Sequence, residues 1–372
     1  MRKQVYIHTS CSFLFTKRFV EPLALALDQK KYDVEVWIDP FINYFDYKTE
    51  FSLPVQLLDL RINWNLIECS VNLLKLYRLF KKAKPSVVET HTSVGSVLPL
   101  IAAKVAGIER RIYHNHGIPF VGYKGILKWI LYLVELLNCY FASEVITVSK
   151  GMQRIYGKMF PVNFHVRLPD PGSACGLPDN YYVDLESMVL IKRDKKKKNG
   201  FSDEIIFIYV GRSIERKGLL IAIKAFGLYN DFFRNSKLLL AGCSKNDLMK
   251  RGISNQNIIP LGFVDDLSKY YLISDVVLLP SMHEGFGYSL LEGAANGNAL
   301  ISSDIPGPDD LVLNGITGYR VEVGSCDSLK DAMVRLSVRG SLLGKMQHNA
   351  RVRAAFYSRD IVITNYLKLV DG

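Results

Sequence analysis

The chain lacks several features by which whole classes of protein are recognised. Its six cysteines are widely spaced and form neither a C-x-x-C pair nor a disulfide framework, so reduced thiols in the cytosol are expected. Arg2 and Lys3 lead into a core-like strand with no long apolar stretch or small-residue cleavage site, so no signal peptide is predicted. No D-x-D sequence occurs, and a metal ion held by such a carboxylate pair is therefore not predicted.

Size and composition indicate two domains. The 372 residues exceed what one hydrophobic core usually supports, and 49% hydrophobic residues permit two full cores. Strand and helix patterns alternate through both halves, which predicts an α/β protein with doubly wound parallel sheets. We place an N-terminal domain at 1–167, a breaker-rich and charged connector at 168–200, a C-terminal domain at 201–350 and a last helix at 351–372.

The most informative segment is the glycine-rich stretch Ser281–Gly293, which contains the two carboxylates of Glu284 and Glu292. The apolar run Asp275–Pro280 predicts a buried parallel strand before it, and Tyr288–Asn296 predicts the following helix. Such loops leave the carboxyl ends of the strands, where the N–H groups of the next helix offer partial positive charge to an anion. Because eight helical residues rise roughly 12 Å, the glutamates are expected to hold two ends of one ligand.

A second loop, Gly211–Gly218, lies between a predicted strand at Ile205–Val210 and a predicted helix at Leu219–Gly227. The loop is neither a G-x-G-x-x-G nor a Walker loop. It carries Arg212 and Lys217, and fixed cations of this kind stabilise negative charge that grows on phosphate oxygens. The alternative is that both are solvated loop cations, which is the usual fate of Arg and Lys.

These two segments together resemble family 4 glycosyltransferases. The string Glu-Gly-Phe-Gly-x4-Glu resembles the family's E-x7-E signature, and the Gly211–Gly218 loop resembles its G-R-x3-x-K-G element. The resemblance covers nearly the whole chain and is densest from Gly211 to Gly318. It implies the GT-B fold, in which two Rossmann-like domains face each other across a cleft. It also implies a retaining enzyme that moves a sugar from a nucleotide diphosphate to an acceptor hydroxyl.

The resemblance further implies roles for particular residues. Glu284 would bind the donor sugar and Glu292 the nucleotide ribose, while Arg212 and Lys217 would bind the donor diphosphate in place of a metal. The expected catalytic residues are Glu284, His116, Arg212 and Lys217. The expected donor-binding residues are Glu292, Gly285, Phe286, Gly287, Tyr288, Ser289, Leu290 and Val264. No cofactor is expected beyond the nucleotide sugar, which is the donor substrate.

A histidine of the N-terminal half is the remaining site candidate. In the family, a histidine before a glycine faces the donor sugar, and the match in Arg110–Gly117 is His116. His114 is the neighbouring competitor, and the alternation of a strand would send it to the same face as His116. His91 ends another predicted strand and is a candidate to line the acceptor cleft. The alternative for each is a structural histidine.

Charge and apolar surface point to a membrane partner. The formal net charge of +11 attracts phosphates and anionic membranes, and no nucleic-acid-binding module is found. The run Lys192–Lys198 is interpreted most simply as a solvated surface loop, with membrane attraction as the alternative. The segment Gly122–Phe141 predicts either a core helix or one that lies against a bilayer through Lys124, Lys128 and Trp129.

A looser resemblance concerns the acceptor. Segments that begin His-Gly-Ile-Pro-Phe before such a helix resemble bacterial enzymes that extend polyprenyl-diphosphate-linked sugars for surface polysaccharides such as O-antigen or capsule. We therefore expect a cytoplasmic enzyme at the inner face of the membrane, with a lipid-linked or soluble saccharide as acceptor. The alternatives are a GT-B phosphorylase, a sugar-nucleotide epimerase, or a noncatalytic protein that binds nucleotide sugar or membrane.

Overall fold

The structure is a computed structural model that describes residues 4–30, 32–39, 51–63, 65–159, 165–182, 185–201, 204–338 and 340–371. The chain divides into two compact units, Met1–Gly176 with Asp360–Gly372, and Leu177–Arg359. Each unit is built on one parallel sheet whose strands alternate with helices along the chain. The prediction of two Rossmann-like domains is therefore confirmed. The predicted domain limits, which end the second domain at 350, remain a prediction beside these units.

The first unit contains a seven-stranded parallel sheet of order β3-β2-β1-β4-β5-β6-β7. Its strands are β1 Gln4–Ser10, β2 Tyr32–Ile38, β3 Val55–Leu57, β4 Val87–His91, β5 Arg110–Asn115, β6 Glu144–Thr147 and β7 Val166–Arg167. Its helices are α1 Phe13–Phe15, a π-helical turn at Thr16–Val20, α2 Glu21–Asp28, α3 Leu66–Ala83, α4 Ser93–Val105, the 3₁₀ turn Pro119–Gly122, α5 Gly125–Phe141 and α6 Lys150–Met159. The order reverses between β1 and β4, and ligands of open α/β sheets bind at the carboxyl ends of such a pair.

The second unit contains a six-stranded parallel sheet of order β10-β9-β8-β11-β12-β13. Its strands are β8 Ile205–Val210, β9 Ser236–Ala241, β10 Ile258–Gly262, β11 Val276–Leu279, β12 Ala299–Ser303 and β13 Gly318–Val321. Its longer helices are α7 Leu185–Lys198, α8 Leu219–Asn230, α9 Lys245–Lys250, α10 Ser268–Ile273, α11 Tyr288–Ala295, α12 Cys326–Val338 and α13 Gly340–Ala355, and its 3₁₀ turns are Asp179–Tyr181, Glu215–Lys217 and Pro308–Asp310. Here the order reverses between β8 and β11, the two strands that precede the predicted loops.

The last helix, α14 Arg359–Asp371, belongs almost wholly to the first unit. Tyr366 on this helix donates a hydrogen bond to the Glu89 carboxylate of β4, with 2.6 Å between the oxygens. The end of the chain is therefore anchored in the core of the first sheet, as the family resemblance implies for a helix that returns to the first domain.

The interpretation of Lys192–Lys198 as a solvated loop is wrong. The segment is the last half of helix α7, and Lys192 is buried. Its ammonium group lies 2.6–3.4 Å from five oxygens, which share its three N–H donors: the carbonyls of Tyr271, Ser274, Asn296 and Gly297, and Oδ1 of Asn298. These oxygens lie at and just after the carboxyl ends of α10 and α11, where a cation is favoured by the helix dipole. Burial lowers the pKa of Lys192 to about 7, and the negative charge of Asp275 opposes this shift.

Helix α5 has an apolar face in solvent. Ile126 is 77% exposed and Trp129 63%, and Leu133 and Tyr140 are exposed along the same side. The opposite side is buried and includes Glu135. The interpretation of Gly122–Phe141 as a core helix is therefore incomplete, because α5 is packed on one side and exposed on the other, and the interpretation that part of it lies against a bilayer stays a prediction. Within the described residues, no helix is both long enough and apolar enough to cross a bilayer.

Candidate active site

Two loops leave the carboxyl ends of the adjacent parallel strands β8 and β11, and they touch each other. The amide of Met282 donates to the carbonyl of Arg216, with 2.9 Å between N and O. Gly218 has φ +72°, and a Cβ at this position would overlap the carbonyl oxygen of Pro280. Only glycine satisfies both conditions, because other residues rarely adopt this φ and any side chain would collide. The close packing fixes the loops side by side at the edge of the sheet where ligands bind.

The contact between the loops brings two predicted site residues together. Lys217 Nζ lies 2.6 Å from Glu284 Oε1, and the two side chains are only 21% and 12% exposed. An ion pair that is largely removed from water is stronger than one at the surface. The pair therefore holds a cation and a carboxylate at fixed positions, one suited to a phosphate and the other to a sugar hydroxyl.

A second pair of side chains joins the two loops one residue upstream of the first pair, and neither of its members is among the predicted site residues. Arg216 Nη1 donates to His283 Nδ1 at 3.0 Å. Burial, together with the Arg216 charge, lowers the pKa of His283 to about 4, so the imidazole is neutral and accepts this hydrogen bond near pH 7. Their positions in the sequence could have indicated this pair, because Arg216 directly precedes Lys217 and His283 directly precedes Glu284. The two pairs act as adjacent clasps between the loops.

Arg212 lies in the same loop, and its side chain is exposed. Its backbone is fixed, because its carbonyl accepts from the hydroxyl of Tyr209 at 3.2 Å between the oxygens. The structure therefore anchors the position of Arg212 while its guanidinium extends into solvent. Its predicted contact with a diphosphate remains a prediction.

The glycine-rich loop enters helix α11 through Gly287, which has φ +91°. The Leu290 amide already donates to the Gly287 carbonyl at 2.9 Å, so this predicted donor-binding amide is used within the first turn. Phe286 is buried and packs on Tyr357, with 5.0 Å between ring centroids, so only its backbone is suited to a ligand. Tyr288 and Ser289, both partly exposed, start the helix at this edge of the sheet.

A third loop braces the glycine-rich one. Gly307 has φ +107°, and a Cβ there would lie 2.6 Å from the carbonyl oxygen of Gly285. The Gly307 amide donates to Asp309 Oδ1 at 2.9 Å, which stabilises this conformation of the loop. The backbone around Glu284 and Gly285 is therefore held from two sides, by the Gly211–Gly218 loop and by the loop after β12.

The remaining predicted donor-binding residues lie on either side of this centre. Glu292 on α11 is buried, and its carboxylate accepts from the hydroxyl of Tyr271 at 3.1 Å. Tyr271, which lies on α10, is not among the residues predicted from the sequence. Val264 is half-buried after β10, next to Phe263, whose ring is 79% exposed. The donor-binding roles of Glu292 and Val264 remain predictions.

His116 belongs to the first unit, at the carboxyl end of β5, whereas the other predicted site residues belong to the second. Its Nε2 lies 3.0 Å from Nδ1 of His91. Its ring stacks on that of His114 with 4.5 Å between centroids, which confirms that the two histidines lie on the same face. His91 is fully buried, so the expectation that it lines an acceptor cleft is wrong: it supports His116 instead.

The turn at His116 is fixed by Asn115. Its Oδ1 accepts from the Gly117 amide at 2.6 Å, and its Nδ2 donates to Glu135 of α5 at 3.1 Å. Burial raises the pKa of Glu135 to about 7, although hydrogen bonds from Ser93, two tyrosines and Asn115 oppose the shift. The apolar helix α5 and the histidine-glycine turn are therefore joined by a buried polar network.

The fold and these loops define a class of protein. GT-B enzymes, which act on nucleotide sugars, share this arrangement. They have two Rossmann-like units, each with a ligand-binding edge, and a pair of contacting loops that carry cations and a carboxylate.

Family models place the chain within this class. Residues 16–168 match the model described as Glycosyltransferase Family 4, and residues 191–353 match the one described as Glycosyl transferases group 1. The chain belongs to the family 4 glycosyltransferases and is a glycosyltransferase. The epimerase, phosphorylase and binding-only alternatives are not favoured.

Similar proteins agree with this assignment. The capsular polysaccharide biosynthesis glycosyltransferase CapM of Staphylococcus aureus is 27% identical over 290 residues, which cover 76% of this chain and 75% of the relative. The UDP-Gal:alpha-D-GlcNAc-diphosphoundecaprenol alpha-1,3-galactosyltransferase of Escherichia coli is 29% identical over 310 residues, covering 78% and 76%. The crystal structure of Anabaena Alr3699/HepE in complex with UDP and glucose is similar in fold, with a TM-score of 0.78 over 99% of both chains and 16% identity.

Proposed function

We propose that this enzyme transfers a sugar, with retention of anomeric configuration, from a nucleoside diphosphate to a hydroxyl of a lipid-linked saccharide in bacterial surface polysaccharide synthesis. The observation that carries the proposal is the clasp between Lys217 and Glu284, which fixes a phosphate-binding cation beside a hydroxyl-binding carboxylate. The lipid-linked acceptor is supported by the name of the E. coli relative, which acts on a diphosphoundecaprenol-linked sugar.

The proposed chemistry needs the cations mainly in the transition state. The bond between the sugar's anomeric carbon and the diphosphate oxygen breaks, and the anomeric carbon bonds to the acceptor oxygen. The acceptor proton passes to the departing diphosphate. Because negative charge grows on that diphosphate, Lys217 and Arg212 bind it more tightly as the bond breaks, which lowers the barrier. We propose that these two side chains and the first turn of α11 neutralise the diphosphate without a metal ion.

The remaining contacts hold the donor. In this proposal Glu284 accepts a hydrogen bond from a hydroxyl of the donor sugar, while Lys217 stays paired with Glu284 and donates another of its N–H groups to the phosphate. Glu292 binds the ribose, and the hydroxyl of Tyr271 keeps its carboxylate oriented. The exposed ring of Phe263, next to Val264, provides a flat apolar surface for the nucleotide base.

The test of activity is a panel of nucleotide sugars, incubated with the purified protein with and without detergent-solubilised polyprenyl-diphosphate sugars. Released nucleotide and mass-shifted lipid are both measured. Glu284→Gln should lower transfer about 100-fold while folding persists, because a neutral amide replaces the carboxylate at the reacting sugar. Glu215→Gln, an exposed glutamate in the neighbouring loop, is the matched control and should be as active as the wild type. Equal activity of the wild type, Glu284→Gln and Glu215→Gln would contradict the proposed role of Glu284.

We further propose that the enzyme is cytoplasmic and binds the inner face of the membrane through α5. The exposed positions Ile126, Trp129, Leu133 and Tyr140 follow helical spacing, and Lys124 and Lys128 flank them. An amphipathic helix of this kind lies in the plane of the interface, where basic residues meet anionic headgroups.

Vesicle binding tests this orientation. The double variant Ile126→Ser/Trp129→Ser should lose sedimentation with phosphatidylglycerol vesicles. The matched control is Phe232→Ser, which removes an equally exposed apolar side chain from the second unit. Loss of binding in both variants would indicate general hydrophobic adhesion instead of docking through α5.

A further inference from the structure

A cluster of buried imidazoles and one carboxylate lies behind His116 in the first unit. His8 on β1, His91 on β4 and His114 on β5 are fully buried, as is Glu89 on β4. His8 Nδ1 lies 3.0 Å from His91 Nε2, and His91 Nδ1 lies 3.0 Å from His116 Nε2. Three rings are therefore joined in a chain from His8 through His91 to His116, which we call the imidazole chain.

Each ring of the imidazole chain carries one proton near neutral pH. Burial lowers the pKa of His8 to about 4, and burial together with neighbouring imidazoles keeps the pKa values of His91 and His116 well below their usual range. Each of the two short N···N contacts needs one proton. Only two arrangements meet this condition: every N–H points toward His116, or every N–H points toward His8. The first leaves a proton on His116 Nδ1, and the second leaves it on His8 Nε2.

The carboxylate of Glu89 decides between these arrangements. Burial alone would raise its pKa, but His8 and the hydrogen bonds from His114 and Tyr366 lower it to about 2, so it is charged near neutral pH. His8 is itself uncharged there, which leaves the hydrogen bonds as the cause that acts at neutral pH: His114 Nδ1 donates at 2.8 Å, Tyr366 at 2.6 Å, and Tyr6 also donates. Glu89 Oε1 lies 3.7 Å from His91 Nε2. The negative charge therefore favours the arrangement in which His91 carries its proton on Nε2.

A shared metal ion is the competing explanation for so many imidazoles. His91, His114 and His116 could hold one ion, and His8, Glu89 and His91 another. A tetrahedral zinc ion binds nitrogen at about 2.0–2.1 Å, which requires the lone pairs of its ligands to converge on one point. Two nitrogens bound to one such ion lie roughly 3.3 Å apart, whereas both N···N distances of the imidazole chain are 3.0 Å, which is typical of a hydrogen bond. The geometry is that of N–H···N hydrogen bonds.

We propose that Glu89 and His91 are positioning residues that fix His116 as the tautomer with its proton on Nε2, so that Nδ1 is a hydrogen-bond acceptor. His116 Nδ1 is buried and has no protein partner within the described part of the chain. His116 is also the one ring of the four that is partly exposed. This inference rests on the proposed function in one respect only: the group that donates to Nδ1 would be a hydroxyl of the sugar substrate.

The tautomer can be measured without any substrate. Protein labelled with ¹³C-histidine is used, because the shift of ring carbon Cδ2 separates the two neutral tautomers. His116→Gln identifies the His116 signal by its loss. In the wild type the His116 shift should lie in the range of the Nε2–H tautomer. In Glu89→Gln and His91→Phe it should move toward the Nδ1–H range, since the charge or the relay that orders the proton is gone.

The matched control is Tyr366→Phe, which removes one hydrogen bond to Glu89 but keeps the carboxylate charge. A merely structural role would predict similar spectra for this control and for Glu89→Gln, whereas the proposal predicts that Tyr366→Phe keeps the wild-type tautomer. A wild-type His116 that carries its proton on Nδ1 would overturn the inference, even if both ordering variants failed to fold. An unchanged tautomer in folded Glu89→Gln and His91→Phe, or stoichiometric zinc in protein purified without chelator, would do the same. Failure of sugar transfer would count against the proposed function and leave the tautomer result intact.

Discussion

Replacing Lys192 by methionine tests whether a buried ammonium group holds the second unit together. Methionine keeps most of the apolar stem, so the change removes the charge while it largely preserves the packing. Five oxygens lose contact with the ammonium at once, and all belong to the segments that end α10 and α11, although the Tyr271 carbonyl still accepts from Nδ2 of Asn298. Both helices position the site, because α11 carries Glu292 and α10 carries Tyr271.

The magnitude follows from the number of acceptors left behind. An unsatisfied buried polar group costs about 1–3 kcal/mol; three N–H donors are removed, and the cost of burying the ammonium, which methionine does not incur, offsets part of the loss. We expect the free energy of unfolding of the second unit to fall by about 3–5 kcal/mol. For a domain of this size 1 kcal/mol shifts Tm by roughly 2–4 °C, so Tm should drop by about 10 °C.

The assay is thermal unfolding followed by far-ultraviolet circular dichroism and by tryptophan fluorescence. All three tryptophans precede residue 130 and report on the first unit, whereas circular dichroism reports on both. The matched control is Lys195→Met on the same helix, an exposed position where the change should stay within about 0.5 kcal/mol. If Lys192→Met unfolds within a degree or two of Lys195→Met, the hydrogen bonds of the Lys192 ammonium do not stabilise the fold and the reasoning is wrong.

Three further predictions concern the loops and the buried carboxyl groups. Gly218→Ala should lower the free energy of unfolding by more than about 2 kcal/mol and lower kcat, because it adds a strained φ and a collision with the neighbouring loop. Gly227→Ala in α8, where a Cβ meets nothing within 4 Å, is the control and should raise the free energy of unfolding by about 0.5–1 kcal/mol. Urea unfolding compares the two variants. The pKa of Glu89 falls from 4.5 to about 2 on folding, so about 3 kcal/mol of stability is present above pH 4.5 and lost as pH falls toward 2. The pKa of Glu135 rises from 4.5 to about 7, which by itself removes about 3 kcal/mol of stability as pH rises from 4.5 to 7, whereas the lowered pKa values of His8, His91 and His116 add stability to the same unit as pH rises toward 6.5. Glu135→Gln should therefore make the stability of the first unit rise more steeply with pH between 4.5 and 7 in fluorescence-monitored unfolding, and an unchanged pH dependence would contradict the assignment.

The helices, the strands and the loops between them could be predicted from local sequence patterns. Runs such as Ile205–Val210 are apolar throughout, which is typical of a strand buried on both faces of a parallel sheet, and the structure places β8 at the same residues. The helix expected at Tyr288–Asn296 ends one residue earlier, at Ala295. Glycines mark the turns because a positive φ or a close backbone approach excludes other residues there. Local pattern was therefore enough to locate both loops of the candidate site.

Which side chains meet depends on the three-dimensional fold. Lys217 and Glu284 are 67 residues apart, and they pair because β8 and β11 are neighbours in the sheet, which spacing along the chain does not encode. Lys192 lies in a run of charges that is typical of solvent, yet it is buried because the ends of two helices surround it with oxygens. His8 and His91 are 83 residues apart and form one hydrogen-bonded chain for the same reason. Periodicity reports which face of an element is apolar, whereas the partner of a buried polar group depends on strand order and on the packing of distant helices.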